Sequence, residues 1–337
     1  MATSTLLRLT GFQTPSNLYL FLATTVIFSL FCVLELRFLG WKGDEGVTGR
    51  RLQWGQGMGV LWNSPRGTGE IYSHDLKGGL MRVAQQVHLW CVIPAGILLP
   101  LQFMPIMRRK YMTLHKYSGR ALFICLMIGN ITAFKLAPGA FGGSIETQSF
   151  SALMGFANSF AMYKAWSGIR DLRIDVHRVW VIRTWTFACS ILSLRVLMVP
   201  MIIGIMTFSK EKYHVPMSCA KIEYIYANPS YYSTHIPSSN MTHVWARYPT
   251  CAKLSAADAQ DTWVAVTATM DETTPERAAA LMGLVFGTAG WVGFFINVFG
   301  CEIYLARTRG EDERLKKVSA VRRRAAGLEG EDEKKDA

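Results

Sequence analysis

The sequence predicts an all-α polytopic membrane protein with about six transmembrane helices, of which spans two to five form a four-helix core. Three observations predict it. Half of the 337 residues are apolar and the mean hydropathy is +0.18, high for a soluble chain of this size. The apolar residues gather into runs near the roughly 20 residues that a helix needs to cross the hydrocarbon core. The lysines and arginines behind the net charge of +12 lie in short segments beside those runs, where they orient spans and meet anionic lipid rather than nucleic acid.

The six runs are residues 18–39, 79–104, 118–137, 150–166, 179–208 and 278–305. The first is too long for the apolar part of a signal peptide, and Glu35-Leu36-Arg37 stands where a small-residue cleavage site would be, so it reads as a retained anchor. The chain then divides into a cytosolic N-terminus (1–17), the first span (18–39), a lumenal loop (40–78) and the four-helix membrane core (79–208). A lumenal or extracellular loop (209–277), the sixth span (278–305) and a cytosolic tail (306–337) complete it, the tail basic at first and disordered from about 327, where apolar residues run out. Spans one and six read as peripheral additions to the core.

Orientation follows from positive charge. Arg108, Arg109, Lys110 and Lys116 lie between spans two and three, Lys164 at the end of span four with Arg170, Arg173 and Arg178 between it and span five, and Arg322-Arg323-Arg324 beyond span six. These three segments are expected in the cytosol, in an endomembrane or the plasma membrane. The opposite loop between spans three and four carries Glu146 alone, whereas Arg50 and Arg51 in the loop after span one argue the other way. Two signs agree from the far side. Asn240-Met241-Thr242 is a glycosylation sequon, and Cys219 and Cys251 are placed to form a disulfide in an oxidising compartment. The other five of the seven cysteines lie in apolar runs with no CxxC pair, which argues against zinc or iron–sulfur chemistry.

Ionisable side chains at bilayer depth are costly and mark function by default. His88 and Arg195 are the deepest candidates, while Lys135 and the span-end residues Glu35, Arg37, Arg82 and Glu302 are expected to reach the interface. His115 and His177 stand at the cytosolic ends of spans three and five, at similar depth, and diagonal spans of a four-helix bundle suit a bis-imidazole haem. From His177 the stripe Val181, Thr184, Ala188, Ile191 and Arg195 keeps one helical face, and Gly119 one turn beyond His115 leaves room for a flat ring. Small residues at this spacing are also how membrane helices pack. Arg120, Arg178 and Arg183 beside the histidines would hold propionates, lipid phosphates or simply topogenic charge.

The order His88, then His115-x-x-x-Gly119-Arg120, then His177-Arg178-x-Trp180-x-x-Arg183 with the later Arg195 resembles the membrane family called domain of unknown function 2306. The resemblance covers about residues 80–205 and brings no assigned activity. Leu114-His115-x-x-x-Gly119 at a helix start is similar in turn to the cytochrome b-type four-helix membrane haem proteins, a likeness at the level of fold. Span four offers Met154 and Asn158 but no histidine, a departure from the two-haem pattern.

Two functions are therefore expected. One is a b-type haem oxidoreductase or electron carrier with an electron donor as partner, in which His115 and His177 fill both axial positions of one haem and Arg120, Arg178 and Arg183 meet its propionates. The other is a haem-free protein that binds or processes a lipid-like or isoprenoid small molecule as an accessory in a biosynthetic pathway. The absence of an internal repeat, and of paired broken helices, argues against a transporter. No catalytic residue is assigned.

Overall fold

The computed structural model describes residues 2–10, 15, 18–19, 21–22, 79–227, 241–270 and 274–328. The expected first span and the loop behind it lie almost wholly outside the described residues, as does the sequon at Asn240. Contacts divide the chain into two units: Met1–Ser144 with Ile202–Leu284, and Ile145–Met201 with Val285–Ala337.

Unit one begins with α1 (Ala2–Thr10) and is dominated by α2 (Gly79–Phe103) and α4 (Met112–Leu136), joined through the short α3 (Pro105–Arg109). Both long helices are apolar enough to span a membrane. His88 meets Gly129 and Thr132 at one end and Gln102 meets Ser118 at the other, so the two run antiparallel. Their axes close tightly at Gly129, where a Cβ would come within 2.7 Å of Val92. A single 3-10 turn (Ala140–Gly142) ends the hairpin, and Gly143 follows it at φ 64°, where a Cβ would strike the carbonyl of Pro138.

The polar segment of unit one folds into a small subdomain. Strands β1 (His214–Ser218) and β2 (Trp263–Thr267) pair antiparallel with Pro216 opposite Ala265. Around them lie α8 (Cys219–Ala227), α9 (Thr242–Arg247) and α10 (Ala256–Asp261), and a disulfide joins Cys219 to Cys251 with Cα atoms 5.4 Å apart. Ser255 caps α10 by accepting from the Asp258 N–H. Met217, Ile222, Ile225, Val244 and Val266 form its core, each no more than 2% exposed. The sequence patterns did not foresee this ordered subdomain.

Unit two is built on α5 (Ile145–Arg170), α6 (Ile174–Ala188), α7 (Ser190–Phe208, entering unit one at Ile202) and α11 (Pro275–Arg307, entering unit two at Val285), followed by α12 (Arg309–Ala325). The α5–α6 hairpin turns through Leu172 at φ 57°, and Phe160 meets Trp180 edge to face. Helix α11 runs parallel to α5, since Gly287 faces Glu146 and Gly290 faces Phe150, and antiparallel to α6–α7, since Glu302 meets Arg183 and Gly293 abuts Leu194. The expected sixth span is therefore not peripheral. Three glycines let its backbone approach its neighbours, and 67% of its most apolar stretch is buried, against 28%, 22% and 11% in the other spans.

Among the described residues, four segments are long and apolar enough to cross a bilayer: Val83–Phe103, Met112–Leu136, Ile174–Phe208 and Pro275–Arg307. Helix α5, the expected fourth span, has the length but a more polar sequence that includes Asn158, Ser159 and Lys164. Large apolar side chains such as Phe156, Ile203, Phe208 and Phe299 point outward, each at least 60% exposed, as lipid contact requires. The chain is an all-α polytopic membrane protein.

Candidate functional site

The expected fifth span is one stretch, Ile174–Phe208, with a slight irregularity at Cys189 (φ −65°, ψ −8°) between α6 and α7, across which the Cys189 N–H still donates to the Trp185 carbonyl and the Ser193 N–H to the Cys189 carbonyl. No proline or glycine marks this point, and a polar bridge from α11 lies beside it: Asn297 donates to Ser190 Oγ at 3.2 Å and accepts from Ser193 Oγ at 3.1 Å. One turn toward the α6 N-terminus, a groove of about 310 Å³ opens between α6 and α11, lined by Ile182, Thr186, Ile296, Asn297, Gly300, Cys301 and Tyr304. Nothing stands within 4 Å of where a Gly300 Cβ would be.

The rim of the groove is charged. Arg183 forks onto Glu302, with Nε to Oε1 at 2.8 Å and Nη2 to Oε2 at 3.0 Å, and its guanidinium lies 4.6 Å from the Trp180 ring centroid. Arg178, on the adjoining turn of α6, donates through Nη2 to Thr308 Oγ1 at 2.9 Å, while its Nη1 is buried without a hydrogen-bond partner. His177 lies on the α5 side of the same helix. Its Nδ1 donates to the Ala165 carbonyl at 2.8 Å; a carbonyl only accepts, so the proton is on Nδ1 and the electron pair on Nε2. Gly168 permits this approach, because a Cβ there would sit 3.0 Å from the His177 amide nitrogen. Arg195 places its guanidinium 5.5 Å from the Phe286 ring.

In unit one, His88 repeats the arrangement of His177. Its Nδ1 donates to the Gly129 carbonyl at 2.9 Å, with Thr132 Oγ1 at 3.2 Å. His115 is in the first turn of α4, and the space beyond Gly119 is bordered by Gln102, whose Oε1 would lie 3.4 Å from a Cβ at that glycine. Arg120 is exposed and lies 5.7 Å from the Tyr117 ring. His115 and Arg120 thus belong to unit one, and His177, Arg178 and Arg183 to unit two. Among the described residues, no three His, Cys, Asp or Glu side chains gather as a metal cluster.

The subdomain contains a polar centre that sequence reasoning missed. Glu276, fully buried at the start of α11, accepts from Tyr226 Oη at 2.6 Å, Arg247 Nη1 at 2.7 Å and Tyr248 Oη at 3.3 Å. Burial and the neighbouring carboxylate push the Tyr226 hydroxyl well above its ordinary range, and the same two causes push Tyr248 up to about 12. Burial works to lower Arg247, but the charge and hydrogen bond of Glu276, with the oxygens of Tyr226 and Tyr248, together outweigh it and the guanidinium is held more firmly protonated. Burial alone pulls the Lys221 ammonium down to about 8. Only an adjacent Tyr-Pro pair and a lone Glu flanked by Pro275 and Arg277 mark these positions in the sequence, and neither carries a recognisable spacing.

No curated protein and no solved structure matches the chain. Residues 86–226, a stretch that takes in His88, His115 and His177, match the model of the family described as Predicted membrane protein (DUF2306).

Proposed function

We propose that this multi-pass membrane protein binds a lipid-like or isoprenoid small molecule in the groove between α6 and α11, as a haem-free accessory to a biosynthetic pathway. The observation that carries the reading is the outward-facing groove between α6 and α11, beside the bridge from Asn297 to Ser190 and Ser193. Apolar Ile182 and Ile296 line the groove together with polar Thr186 and Asn297, and the Arg183–Glu302 pair joins the residues that follow Ile182 and Cys301. Pockets of this kind orient a mostly apolar ligand through a few placed polar groups. Ile296 is 52% exposed and Tyr304 45%, so an occupant enters from the lipid side. A tryptophan at Gly300 fills the groove without touching the helix contacts at Gly287, Gly290 and Gly293. Purified full-length protein labelled with a photoactivatable isoprenoid alcohol is expected to carry the label on peptides of α6 and α11. Gly300→Trp and Asn297→Leu are expected to lose it, and Arg183→Gln to weaken it. Label spread evenly over all spans, and indifferent to Gly300→Trp, would overturn the reading.

A second reading keeps one b-type haem, with His115 and His177 as axial ligands and Arg120, Arg178 and Arg183 at the propionates. His177 favours it, because an Nδ1 proton held by a carbonyl fixes the tautomer that presents Nε2 to iron. Two facts weigh against it: Arg183 is spent on Glu302, and Gln102 borders the crevice at Gly119. When bound, a bis-histidine haem would supply one-electron transfer. A reduced-minus-oxidised absorption spectrum without a Soret difference rules it out.

We propose the cytosolic side for the basic tail and the α5–α6 turn, and the lumenal or extracellular side, with Asn240 glycosylated, for the subdomain. Within unit two the turn and α12 lie at one end, which supports a shared side, and the Cys219–Cys251 disulfide supports an oxidising compartment for the subdomain. A glycosidase-sensitive mass shift that disappears in Asn240→Gln is the test.

A further inference from the structure

We infer that α12 and the α5–α6 turn together form a binding surface for the anionic phospholipid headgroups of the adjacent leaflet. The two elements are locked into one surface. Ser319 donates to Asp175 Oδ1 at 2.7 Å and accepts from the Ile174 N–H at 2.9 Å, capping α6 from another helix, and Arg323 reaches the Asp171 carbonyl at 3.3 Å. The cations this lock leaves outward are Arg170 and Arg173 on the turn and Arg309, Lys317 and Arg322 on α12, all exposed and, among the described residues, in no salt bridge. Arg314 and Lys316 are instead spent on Glu311 and Asp312.

The level of this surface in the membrane follows from its neighbours. Tyr163 (66% exposed) and Trp166 (41%) face outward on the last turns of α5, where amphipathic rings mark the headgroup boundary. Arg170 lies about 6 Å beyond Trp166 along the helix, by the rise per residue. On α11 the apolar stretch runs to Leu305, and Arg307 lies about 3 Å further. The cations therefore stand within the headgroup layer or at its outer edge, where each basic residue adds to the attraction toward an anionic leaflet. Val321, 67% exposed on α12, adds an apolar contact of the kind an interfacial helix buries.

Detergent-solubilised full-length protein, titrated with phosphatidylserine and separately with phosphatidylcholine and read by native mass spectrometry, tests this. The expected result is retention of phosphatidylserine over phosphatidylcholine, weakened by added salt. The triple variant Arg173→Gln, Lys317→Gln, Arg322→Gln is expected to weaken it by on the order of a hundredfold. Those three side chains make no contact in the Ser319 lock, and the charge-preserving set Arg173→Lys, Lys317→Arg, Arg322→Lys is expected to retain binding, which separates charge from folding. Equal retention of the two lipids, or no change in the triple variant, overturns the proposal. So does a wild-type chain that selects phosphatidylserine only after deletion of the acidic residues 329–337, because the cations are then covered by the chain itself. Capture of an acidic polypeptide together with indifference to lipid charge overturns it in favour of a protein partner.

Discussion

Arg183 and Glu302 are joined by two parallel hydrogen bonds across α6 and α11, at the mouth of the groove where an apolar helix first meets water. The pair is partly screened, with side chains 24% and 49% exposed, so its strength lies nearer that of an exposed pair than of a buried one. Glu302→Gln is expected to cost about 1 kcal/mol of stability and Arg183→Gln a similar amount. Their double variant should cost less than the sum. A thermal-unfolding double-mutant cycle on the purified protein measures the coupling, and strict additivity would mean that the fork does nothing for the fold.

Helix α11 depends on close approach. A Cβ at Gly290 would lie 2.6 Å from Phe150 Cδ1, and one at Gly287 2.8 Å from the Thr147 amide nitrogen, whereas Gly300 faces open space. Gly290→Ala is expected to destabilise by about 1–3 kcal/mol through overpacking, and Gly300→Ala to stay within about 0.5 kcal/mol of wild type. Unfolding followed by a thiol-reactive dye at buried Cys301 distinguishes them.

What hydropathy could reach and what it could not is clear from particular residues. The apolar runs located α2, α4, α6–α7 and α11 to within a few residues, because a bilayer demands continuous apolar sequence and tolerates little else. The polar bridge beside Cys189 was invisible, because Ser190 and Ser193 find their partner in Asn297, more than 100 residues away. Glu276 was equally hidden, since Tyr226, Arg247 and Tyr248 converge on it only through the fold of the subdomain. Helix α12 was read as basic charge alone. Its Glu, Lys and Arg content favours helix, and Ser319, ordinary in sequence, acquires its role only beside Asp175. His88 and His177 were legible as candidates, but that each would bind a backbone carbonyl through Nδ1 was not.

The Glu276 centre should be the subdomain's least tolerant point. A fully buried carboxylate that loses its charge leaves Arg247 facing two tyrosines with no counterion, and breaking such pairs costs about 3–5 kcal/mol. Glu276→Gln is expected to expose backbone amides of 213–227 and 241–270 to hydrogen exchange while α2 and α4 stay protected. Unchanged exchange in the subdomain would show that the carboxylate is not needed there.

Lys221 gives the subdomain a pH dependence of defined sign. Its folded pKa of about 8 lies below the ordinary 10.5, so between those values the unfolded chain binds more protons than the folded one, and stability rises with pH across that window. Below about pH 8 the folded state carries a desolvated ammonium. Lys221→Met removes that charge and is expected to stabilise the subdomain by about 1–3 kcal/mol at pH 7, with the advantage shrinking to nothing as pH approaches 10.5. Hydrogen exchange of residues 213–227, compared between wild type and variant at pH 7 and pH 9, measures the difference after correction for the intrinsic exchange rate. A variant less stable than wild type at pH 7 would mean that the ammonium makes a favourable contact there, and that desolvation is not what governs its titration.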